Sequence, residues 1–338
     1  MQHQEKMVPG KLDHDTLNRL LRKYTDAGNR IVIGSRVGED ATVIDMGDQL
    51  LVLKTDPITF ITDQIGYYLV HINANDIYCL GATPRWLLVT LLLPAEKTDH
   101  TLVETIFSQI SKTCKKEKIS FCGGHTEITP GLDRVMAVGQ MVGVVRRKQL
   151  INKRKIWIDD HVILVGSVPL EGTSIIARER SGELESLYSA DFVEHCQNLL
   201  FKPGISVKRY AQIAMQVGSV HGMHDPTEGG ISTALHELSV ACDLGIEIYE
   251  EKISTLTEGK LLCDHYELDP LGTIASGSLL VVVPSNRVRD FISAYADKDI
   301  PAEDIGVITS LEKGRRLIRK NETIELPFFH CDEIIKIF

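Results

Sequence analysis

The chain has 338 residues, of which 43% are hydrophobic and 25% charged, and its formal net charge is −9. This composition is typical of a folded globular protein and excludes intrinsic disorder as its main state. The length fits two domains of ordinary size. The acidic balance argues against a nucleic-acid groove but not against a phosphate ligand, because a bound cation can carry the local positive charge.

The cysteines and the apolar segments favour a cytoplasmic protein. Seven cysteines are scattered along the chain without a C-x-x-C pair, which argues against a disulfide framework and against a structural zinc site. The N-terminal sequence MQHQEKMVPG lacks the apolar core of a secretory signal. The longest apolar run, residues 87–93, is too short to span a bilayer.

In chain order, the first half is predicted to run β-β-α-β-α-β-β. Leucines at helical spacing predict an amphipathic helix at residues 13–24, and ATVIDM and LLVLKTD around Gly47-Asp48 predict a hairpin. Further helices are predicted at residues 65–80 and at residues 99–116, where Asp99 is the expected cap. The remaining predicted strands are RWLLVTLLLP, ISFCGG and RVMAVGQMVGVV.

The basic segment RRKQLINKRK is the predicted linker, and we interpret it as a solvated surface turn between domains at residues 1–150 and 151–338. The second half is predicted to contain the strands HVILVGSV, GIEIYE and SLLVVVP and a last strand near DIGVIT. Its predicted helices are GTSIIARERSG and residues 205–217 and 229–241. The sequence therefore predicts a two-domain α/β protein.

Acidic residues recur at the ends of predicted elements. Asp40 in VGEDATV precedes a strand, Asp56 in KTDP follows one, and Asp76 in NANDI lies on a helix. Asp225 in HDPTEGG lies at a glycine-rich helix entrance, and Glu127 in GGHTE is a fifth candidate. Each residue alone is more often a turn former or a cap than a ligand.

These residues can form a site only if their carboxylates converge in the folded chain. A close pair of carboxylates costs on the order of 4 kcal/mol at a separation of 4 Å with an effective dielectric of about 20. A cation would offset that repulsion, and ligation by oxygen alone suits Mg²⁺, which is commonly shared with substrate phosphates. The sequence predicts such a site but does not establish the convergence.

Two glycine pairs could bring the backbone close to a phosphate. Gly123-Gly124 is predicted to end a strand, and Gly229-Gly230 opens a predicted helix whose free N–H groups could face an anion. The alternatives are a tight turn for the first pair and close packing for the second. Neither G-x-x-x-x-G-K-[ST] nor G-x-G-x-x-G occurs, so a nucleotide would bind by neither familiar loop.

Other candidate residues have simpler interpretations. His221 and His224 are only three residues apart beside a glycine, which disfavours a zinc site with Asp225. Cys79 is predicted to be part of the core. Cys122 lacks an identifiable base that would make it a nucleophile.

The segments GEDATV, KTD, NANDIYCLGATP and GGHTE, in this order and at these separations, resemble the nucleotide-binding set of the aminoimidazole ribonucleotide (AIR) synthetase superfamily. That superfamily includes HypE, thiamine-monophosphate kinase and selenophosphate synthetase. The segments GMHDPTEGGISTALHELS and PGKLDHDTLNRLL are most similar to the HypE branch. The resemblance covers nearly the whole chain.

The resemblance implies a first domain that pairs with a second copy in a barrel-like dimer core, with ATP in a groove at that interface. It implies that Asp40, Asp56 and Asp76 bind Mg²⁺ and that Asp225 matches an acidic position that binds metal in some members. The residues implied to line the phosphate path or border the cleft are Asn75, Gly123, Gly124, Thr126, Gly229 and Gly230.

The implied chemistry is ATP-dependent activation of a substrate oxygen, which attacks the γ-phosphate. Such catalysis depends mostly on positioning and charge neutralisation, and Asp76 and Asp225 are its predicted catalytic residues. We favour an ATP-dependent enzyme that acts on a small-molecule or carbamoyl-type substrate. The alternatives are a HypE-like maturation factor for a partner protein and a catalytically silent nucleotide-binding regulator.

Two features depart from the family pattern. HypE proteins end in a cysteine that carries the group dehydrated to a nitrile, whereas this sequence ends EIIKIF and its last cysteine is Cys331. Chemistry on a terminal cysteine is therefore not expected. His125 stands in GGHTE where many relatives have Asp or Glu, so this position would bind Mg²⁺ poorly or Glu127 would substitute for it.

Overall fold

The computed structural model describes residues 10–26, 28–59, 61–320 and 322–338. The polar N-terminal residues 1–9, on which the argument against a secretory signal was based, lie outside this range. In the described part of the chain, no helix is both long enough and apolar enough to cross a membrane. Two β-sheets, one from each half of the chain, form the framework.

The strands and helices have the following bounds. The described strands are β1 (Ile31–Ile33), β2 (Thr42–Asp45), β3 (Leu50–Ile58), β4 (Thr83–Pro94), β5 (Ser120–Thr129), β6 (Met136–Val145), β7 (Asp160–Val165), β8 (Gly222–His224), β9 (Gly245–Tyr249), β10 (Leu279–Pro284), β11 (Ala302–Thr309), β12 (Arg315–Arg319) and β13 (Glu322–Glu325). The described α-helices are α1 (His14–Tyr24), α2 (Ile65–Cys79), α3 (His100–Glu117), α4 (Leu170–Glu179), α5 (Ser181–Leu187), α6 (Ala190–Asn198), α7 (Lys208–Val217), α8 (Gly230–Cys242), α9 (Thr257–His265) and α10 (Val288–Ala296).

The first sheet has the strand order β1-β2-β3-β6-β4-β5. Its neighbours are antiparallel except for the parallel pair β4 and β5. The predicted hairpin is confirmed as β2 and β3, and Asp45 accepts the backbone N–H of Gly47 at 2.9 Å in its turn. The predicted cap of α3 is also confirmed, because Asp99 accepts the N–H of Leu102 at 2.7 Å. Strand β1 was not predicted.

The prediction that Gly123-Gly124 ends a strand is wrong, because β5 continues through both glycines beside β4. Gly124 has φ +142°, and a Cβ there would overlap the carbonyl oxygen of Val89 on β4. The glycine is therefore needed for the close approach of two parallel strands. A glycine pair is the sequence signal both for the end of a strand and for the close approach of a neighbouring strand, so the sequence alone does not distinguish the two.

Helix α2 lies between the two halves of the molecule and is almost completely buried. It packs against β3, β4 and β6 of the first sheet and against α7 and β8 of the second half. It begins near the predicted position and ends before Gly81, which has φ +71°. Because α2 is almost completely buried, a polar side chain on it is costly unless it finds a partner inside the protein.

The second sheet has the order β13-β12-β9-β11-β7-β10-β8 and is antiparallel except for the pair β12 and β9. The prediction that DIGVIT is the last strand is wrong, since β12 and β13 follow it. Helices α5, α6, α9 and α10 were not predicted, and Gly182 lies inside α5 rather than ending a helix. One large apolar cluster joins buried residues of both sheets, among them Leu87 of β4 and Val281 of β10.

The basic segment 146–155 is not a solvated turn throughout. It forms two short 3₁₀ turns, Arg147–Gln149 and Lys153–Lys155, and the side chain of Lys153 is fully buried. A lysine is rarely buried without a partner. Its partners are Gly38 and Asp40 from the first half of the chain and His224 from the second half.

Candidate functional site

A cavity of about 340 Å³ lies between the two halves of the chain. Its wall combines apolar side chains, such as Ile58, Ile72 and Ile175, with a large number of ionisable groups. The lysines among the lining residues are Lys11 and Lys54, and the carboxyl-bearing residues are Glu39, Asp40, Asp56, Asp76, Glu171, Asp225, Glu228 and Glu237. Such an acidic cavity favours a cationic ligand or an anion that enters together with a cation.

Four of the five predicted metal ligands line this cavity. Asp40 precedes β2, Asp56 is in β3, Asp76 is on α2, and Asp225 follows β8. Four separate segments therefore bring their carboxyl groups to one place. The convergence on which the sequence argument depended is present.

Local hydrogen bonds fix the end of β3 against α2. Asn73, which is fully buried on α2, accepts the backbone N–H of Asp56 at 2.9 Å and donates to the carbonyl of Asp56 at 3.3 Å. Its amide also donates to the carbonyl of Leu69 at 2.9 Å. The relative position of Asp56 and Asp76 is set in this way, because Asn73 and Asp76 are on the same helix.

Lys54 bridges two of the carboxylates. Its Nζ is 3.2 Å from Asp56 Oδ2 and 3.2 Å from Asp76 Oδ2. Burial by itself lowers the pKa of Lys54, but Asp76 and Asp56 outweigh it and raise that pKa well above its usual value. Burial and the neighbouring aspartates act to raise the pKa of Asp76, whereas Lys54 acts to lower it and so favours the ionised carboxylate.

Asp40 belongs to a chain of buried ion pairs. Its Oδ2 accepts from Lys153 Nζ at 2.7 Å, and its Oδ1 is 2.8 Å from His224 Nδ1. Nε2 of the same histidine is 3.0 Å from Glu237, which in turn pairs with Lys11 at 3.0 Å. Burial opposes ionisation of Asp40, but His224 and Lys153 outweigh it and hold the pKa of Asp40 well below its usual range.

Asp225 carries the one buried carboxylate oxygen of the four predicted aspartates that lacks a hydrogen-bond partner in the described structure. Cys79 donates to its Oδ1 at 3.5 Å, whereas its Oδ2 has no partner. Burial raises the pKa of Asp225, and the neighbouring Asp40 adds to that shift. A buried oxygen without a partner is costly, and a cation bound in the cavity would satisfy it.

The carboxylates do not form a preassembled metal site. In the ranges of the chain that the structure describes, no three Asp, Glu, His or Cys side chains have the arrangement needed to hold an ion. Lys54 forms ion pairs with both Asp56 and Asp76, and Lys153 forms an ion pair with Asp40. The donor set itself fits Mg²⁺, since it consists of carboxylate oxygens.

The residues of β5 are not at this cavity. Gly123, Gly124, Thr126 and Glu127 are exposed on the outer strand of the first sheet. Glu127 contacts His125 at 3.3 Å, with both side chains at least half exposed. The prediction that Glu127 joins the other carboxylates is therefore wrong within one chain, because β5 is at the far edge of the sheet from β3.

Asn75 does not line a phosphate path in this structure, contrary to the expectation. Its amide donates to the carbonyl of Ile205 at 2.9 Å and accepts the N–H of Val207 at 3.0 Å. The side chain is fully buried. Asn75 therefore joins α2 to the backbone before α7, which is a structural role between the two halves.

Gly229 and Gly230 open α8 as predicted, but neither lines the cavity. The N–H of Gly229 donates to Asp332 Oδ2 at 2.6 Å, so a carboxylate of the same chain already occupies the start of the helix. A Cβ on Gly230 would collide with the carbonyl oxygen of Leu271. Close packing, the alternative interpretation, accounts for both glycines.

The two neighbouring histidines serve different carboxylates. His221 Nδ1 is 2.7 Å from Asp160, whereas His224 contacts Asp40 and Glu237. The two side chains do not converge on one position. Cys79 is fully buried, as predicted.

Several ionisable residues of the site were missed by the sequence argument, namely Lys11, Lys54, Lys153, Glu171, His224 in its ion-pair role, and Glu237. One of them had a usable signal. Lys54 alternates with Leu50 and Val52 along β3, and both leucine and valine are fully buried. Side chains two residues apart share a strand face. This spacing predicts that Lys54 and Asp56 lie on the same face as the buried Leu50 and Val52.

Glu171 is a buried carboxyl group on α4. It accepts the N–H of Ser276 at 3.2 Å, and burial raises its pKa to about 7. A carboxyl group with such a pKa can exchange a proton with a bound molecule near neutral pH. No feature of the local sequence GTSIIARERSG marked it.

The class of protein that this fold and cavity represent is shown by comparison with protein families. Family models for AIR synthase related proteins match the chain in two parts, the N-terminal domain at residues 38–145 and the C-terminal domain at residues 158–318. The chain therefore belongs to the AIR synthase related family.

The individual relatives that were compared share about a quarter of their residues with this chain or fewer. A putative hydrogenase expression/formation protein of Methanocaldococcus jannaschii is 26% identical over 290 residues, covering 83% of each chain. Carbamoyl dehydratase HypE of Cupriavidus necator is 24% identical over 292 residues, covering 84% of this chain and 80% of that protein. A crystal structure of hydrogenase maturation protein HypE in complex with ATP aligns with a TM-score of 0.70 at 21% identity, covering 94% of this chain and 92% of that one. The last likeness establishes the shared two-domain fold.

Proposed function

We propose that the chain is a Mg-ATP-dependent enzyme that activates an oxygen of a small-molecule or carbamoyl-type substrate by phosphorylation. The observation that carries the proposal is the convergence of Asp56, Asp76 and Asp225 on one cavity, with Asp225 Oδ2 buried and unpartnered among the described residues. The relatives named HypE and the structure of HypE with ATP support it.

The protein residues have distinct roles in this proposal. Asp56, Asp76 and Asp225 would hold Mg²⁺, which neutralises phosphate charge when bound. Both oxygens of Asp40 already accept hydrogen bonds from Lys153 and His224, so Asp40 is suited to fixing the loop before β2. Catalysis then depends on Asp76 and Asp225 for positioning.

Glu171 is the group best placed to take a proton from the substrate oxygen. Its carboxyl group lines the same cavity as the aspartates, and its pKa of about 7 allows it to accept a proton at neutral pH. Ile58, Ile72 and Ile175 line the same space, and their apolar side chains would limit its hydration. Phosphoryl transfer requires such exclusion, because water competes with the substrate oxygen.

Mg-ATP is expected to stabilise the wild-type protein against heat, and Asp56→Asn is expected to abolish that effect. A ligand at about 100 times its dissociation constant adds roughly 2.7 kcal/mol to the free energy of unfolding. The substitution removes one negative charge from the site while keeping the size of the side chain. The measurement is the melting temperature with ATP, with and without Mg²⁺.

Asp264→Asn provides the matched control, because Asp264 is an exposed residue of α9 whose carboxylate pairs with Lys260. It should keep the full Mg-ATP shift. The nucleotide proposal fails if the wild type shows no Mg²⁺-dependent shift at millimolar ATP. A shift without ATP turnover on any acceptor would instead favour the catalytically silent regulator.

The maturation-factor alternative is supported by the names of the relatives. In this structure, however, the segment after Cys331 is anchored: Ile334 and Ile337 are buried, and Arg180 donates a hydrogen bond to the carbonyl of Ile337. An acceptor group carried by a partner protein would therefore have to enter the cavity from outside. Release of phosphate that requires such a partner would distinguish this alternative.

We also propose that the chain forms a homodimer through the first sheet. Trp86 and Leu88 on β4 and Ile128 on β5 are 42%, 38% and 59% exposed, and an apolar sheet face of this kind favours a protein partner. A second copy would cover this face in a barrel-like core. It would also bring the exposed residues Gly123 and Thr126 to the interface.

Leu88→Asp is expected to convert the dimer to a monomer, because it places a charge in the centre of the proposed interface. Leu311→Asp is the control, since Leu311 is 53% exposed on a separate 3₁₀ turn of the second half. Sedimentation equilibrium measures the mass of each variant. A wild-type protein that is monomeric at micromolar concentration would contradict the dimer.

A cytoplasmic location is proposed as well. All seven cysteines are free in the structure. Free thiols persist in a reducing compartment.

A further inference from the structure

We propose that Lys54 is a resident cation of the carboxylate site, which keeps divalent ions away from Asp56 and Asp76 until a nucleotide enters. This inference rests on the proposed Mg-ATP site and specifies how that site is regulated. In this scheme the free protein binds divalent ions weakly. The nucleotide and the ion then bind together.

The first observation is the position of the ammonium group. Lys54 Nζ is at the same distance, 3.2 Å, from one oxygen of Asp56 and from one oxygen of Asp76. Its side chain is 18% exposed, and that of Asp76 is 8% exposed. A compact ammonium ion between two carboxylates occupies the place that a hard metal ion would take.

The second observation is the distribution of the other cationic groups. Lys11 pairs with Glu237, and Lys153 pairs with Asp40. Both are therefore committed to other carboxylates. Lys54 is the lysine that neutralises Asp56 and Asp76.

The third observation is the oxygen that Lys54 leaves unsatisfied. Asp225 Oδ2 is buried without a hydrogen-bond partner in the described structure, although Asp225 lines the same cavity as Lys54. The resident ammonium thus neutralises only part of the site. Phosphate oxygens of a nucleotide would supply the further ligands with which a divalent ion can compete against a tethered ammonium.

Removing the ammonium should therefore create a divalent-ion site in the nucleotide-free protein. We would measure Mn²⁺ binding by electron paramagnetic resonance, with Mn²⁺ as a probe for Mg²⁺, in the wild type and in Lys54→Met. Without nucleotide, Lys54→Met is expected to bind Mn²⁺ about tenfold more tightly than the wild type, or better, because two neighbouring carboxylates are left without a counter-charge. With a non-hydrolysable ATP analogue, both proteins are expected to bind Mn²⁺.

Two further variants control the experiment. Lys260→Met removes an exposed lysine that also pairs with a carboxylate, that of Asp264, and should behave as the wild type. Lys54→Arg keeps the charge and should also exclude Mn²⁺. If Lys54→Met does not fold, Lys54→Gln, which retains a hydrogen-bond donor, takes its place.

The inference is overturned if the wild type binds Mn²⁺ without nucleotide as tightly as Lys54→Met does. It is also overturned if Lys54→Met weakens binding of the ATP analogue but leaves Mn²⁺ affinity unchanged, since Lys54 would then be a phosphate ligand. Failure of every protein to bind the analogue would sink the nucleotide proposal. The Mn²⁺ comparison without nucleotide would still decide the role of Lys54.

Discussion

Replacing Lys153 with methionine is expected to lower the free energy of unfolding by about 3 to 5 kcal/mol, because it leaves the buried Asp40 carboxylate without its ammonium partner. Lys153 Nζ also donates to the carbonyl of Gly38 at 2.7 Å. The substitution therefore removes one buried and one partly buried hydrogen bond between the linker segment and the loop before β2. The midpoint of urea unfolding measures the loss.

Lys155→Met is the matched control, since Lys155 lies in the same 3₁₀ turn and is exposed. It should change the midpoint little. In the double variant Asp40→Asn with Lys153→Met, both charges of the pair are gone. Its loss should be smaller than the sum of the two single losses. Equal stability of Lys153→Met and Lys155→Met would show that the buried pair contributes nothing.

The difference in the free energy of unfolding between the wild type and Lys153→Met should also depend on pH, both at high pH and at low pH. Asp40 outweighs burial and raises the pKa of Lys153, so the contribution of the lysine is lost only as the pH rises through that raised value. The depressed pKa of Asp40 means that its contribution is lost as the pH falls below the usual carboxyl range. Between these extremes the difference should still change as His224 titrates, because that histidine contacts both Lys153 and Asp40. Burial lowers the pKa of His224, but its carboxylate partners outweigh burial and raise it.

Replacing Asp332 with alanine is expected to lower the free energy of unfolding by about 3 kcal/mol or more, because it leaves three buried N–H groups without an acceptor. Its carboxylate accepts from Gly229 at 2.6 Å, Ile334 at 2.9 Å and Ile274 at 3.2 Å, and the residue is 1% exposed. The same group stabilises the N-terminus of α8. Urea unfolding again measures the loss.

The substitution should also loosen the candidate site, since Gly229 closely follows Asp225 in the chain. Asp332→Ala is expected to speed amide hydrogen exchange in residues 225–233 and to reduce the Mg-ATP shift. Asp332→Asn retains one acceptor oxygen and should have an intermediate effect. Asp264→Ala, on an exposed helix surface, should leave both measurements unchanged. Normal exchange in this segment of Asp332→Ala would contradict the proposed support.

Local rules were sufficient for much of the secondary structure. The turn at Gly47-Asp48 and the cap at Asp99 depend on atoms a few residues away, and both were predicted correctly. Helix α2 was also predicted, because its apolar length and the following Gly81 are local signals. The convergence of aspartates could be anticipated only through the resemblance of their motifs to a known family.

The sequence by itself determined many of the strands and helices, among them β2, β3, α2 and α3, and which carboxylates are candidates, because those properties depend on neighbouring residues. The tertiary structure decided the partners. Lys153 pairs with Asp40 from 113 positions away, and Asp332 reaches Gly229 from 103 positions away. A lysine or a glycine pair has the same local sequence whether it meets solvent, a phosphate or a distant carboxylate. Burial and electrostatic pairing across the fold select among these outcomes, since an ion is stable inside the protein only when its partner arrives there as well.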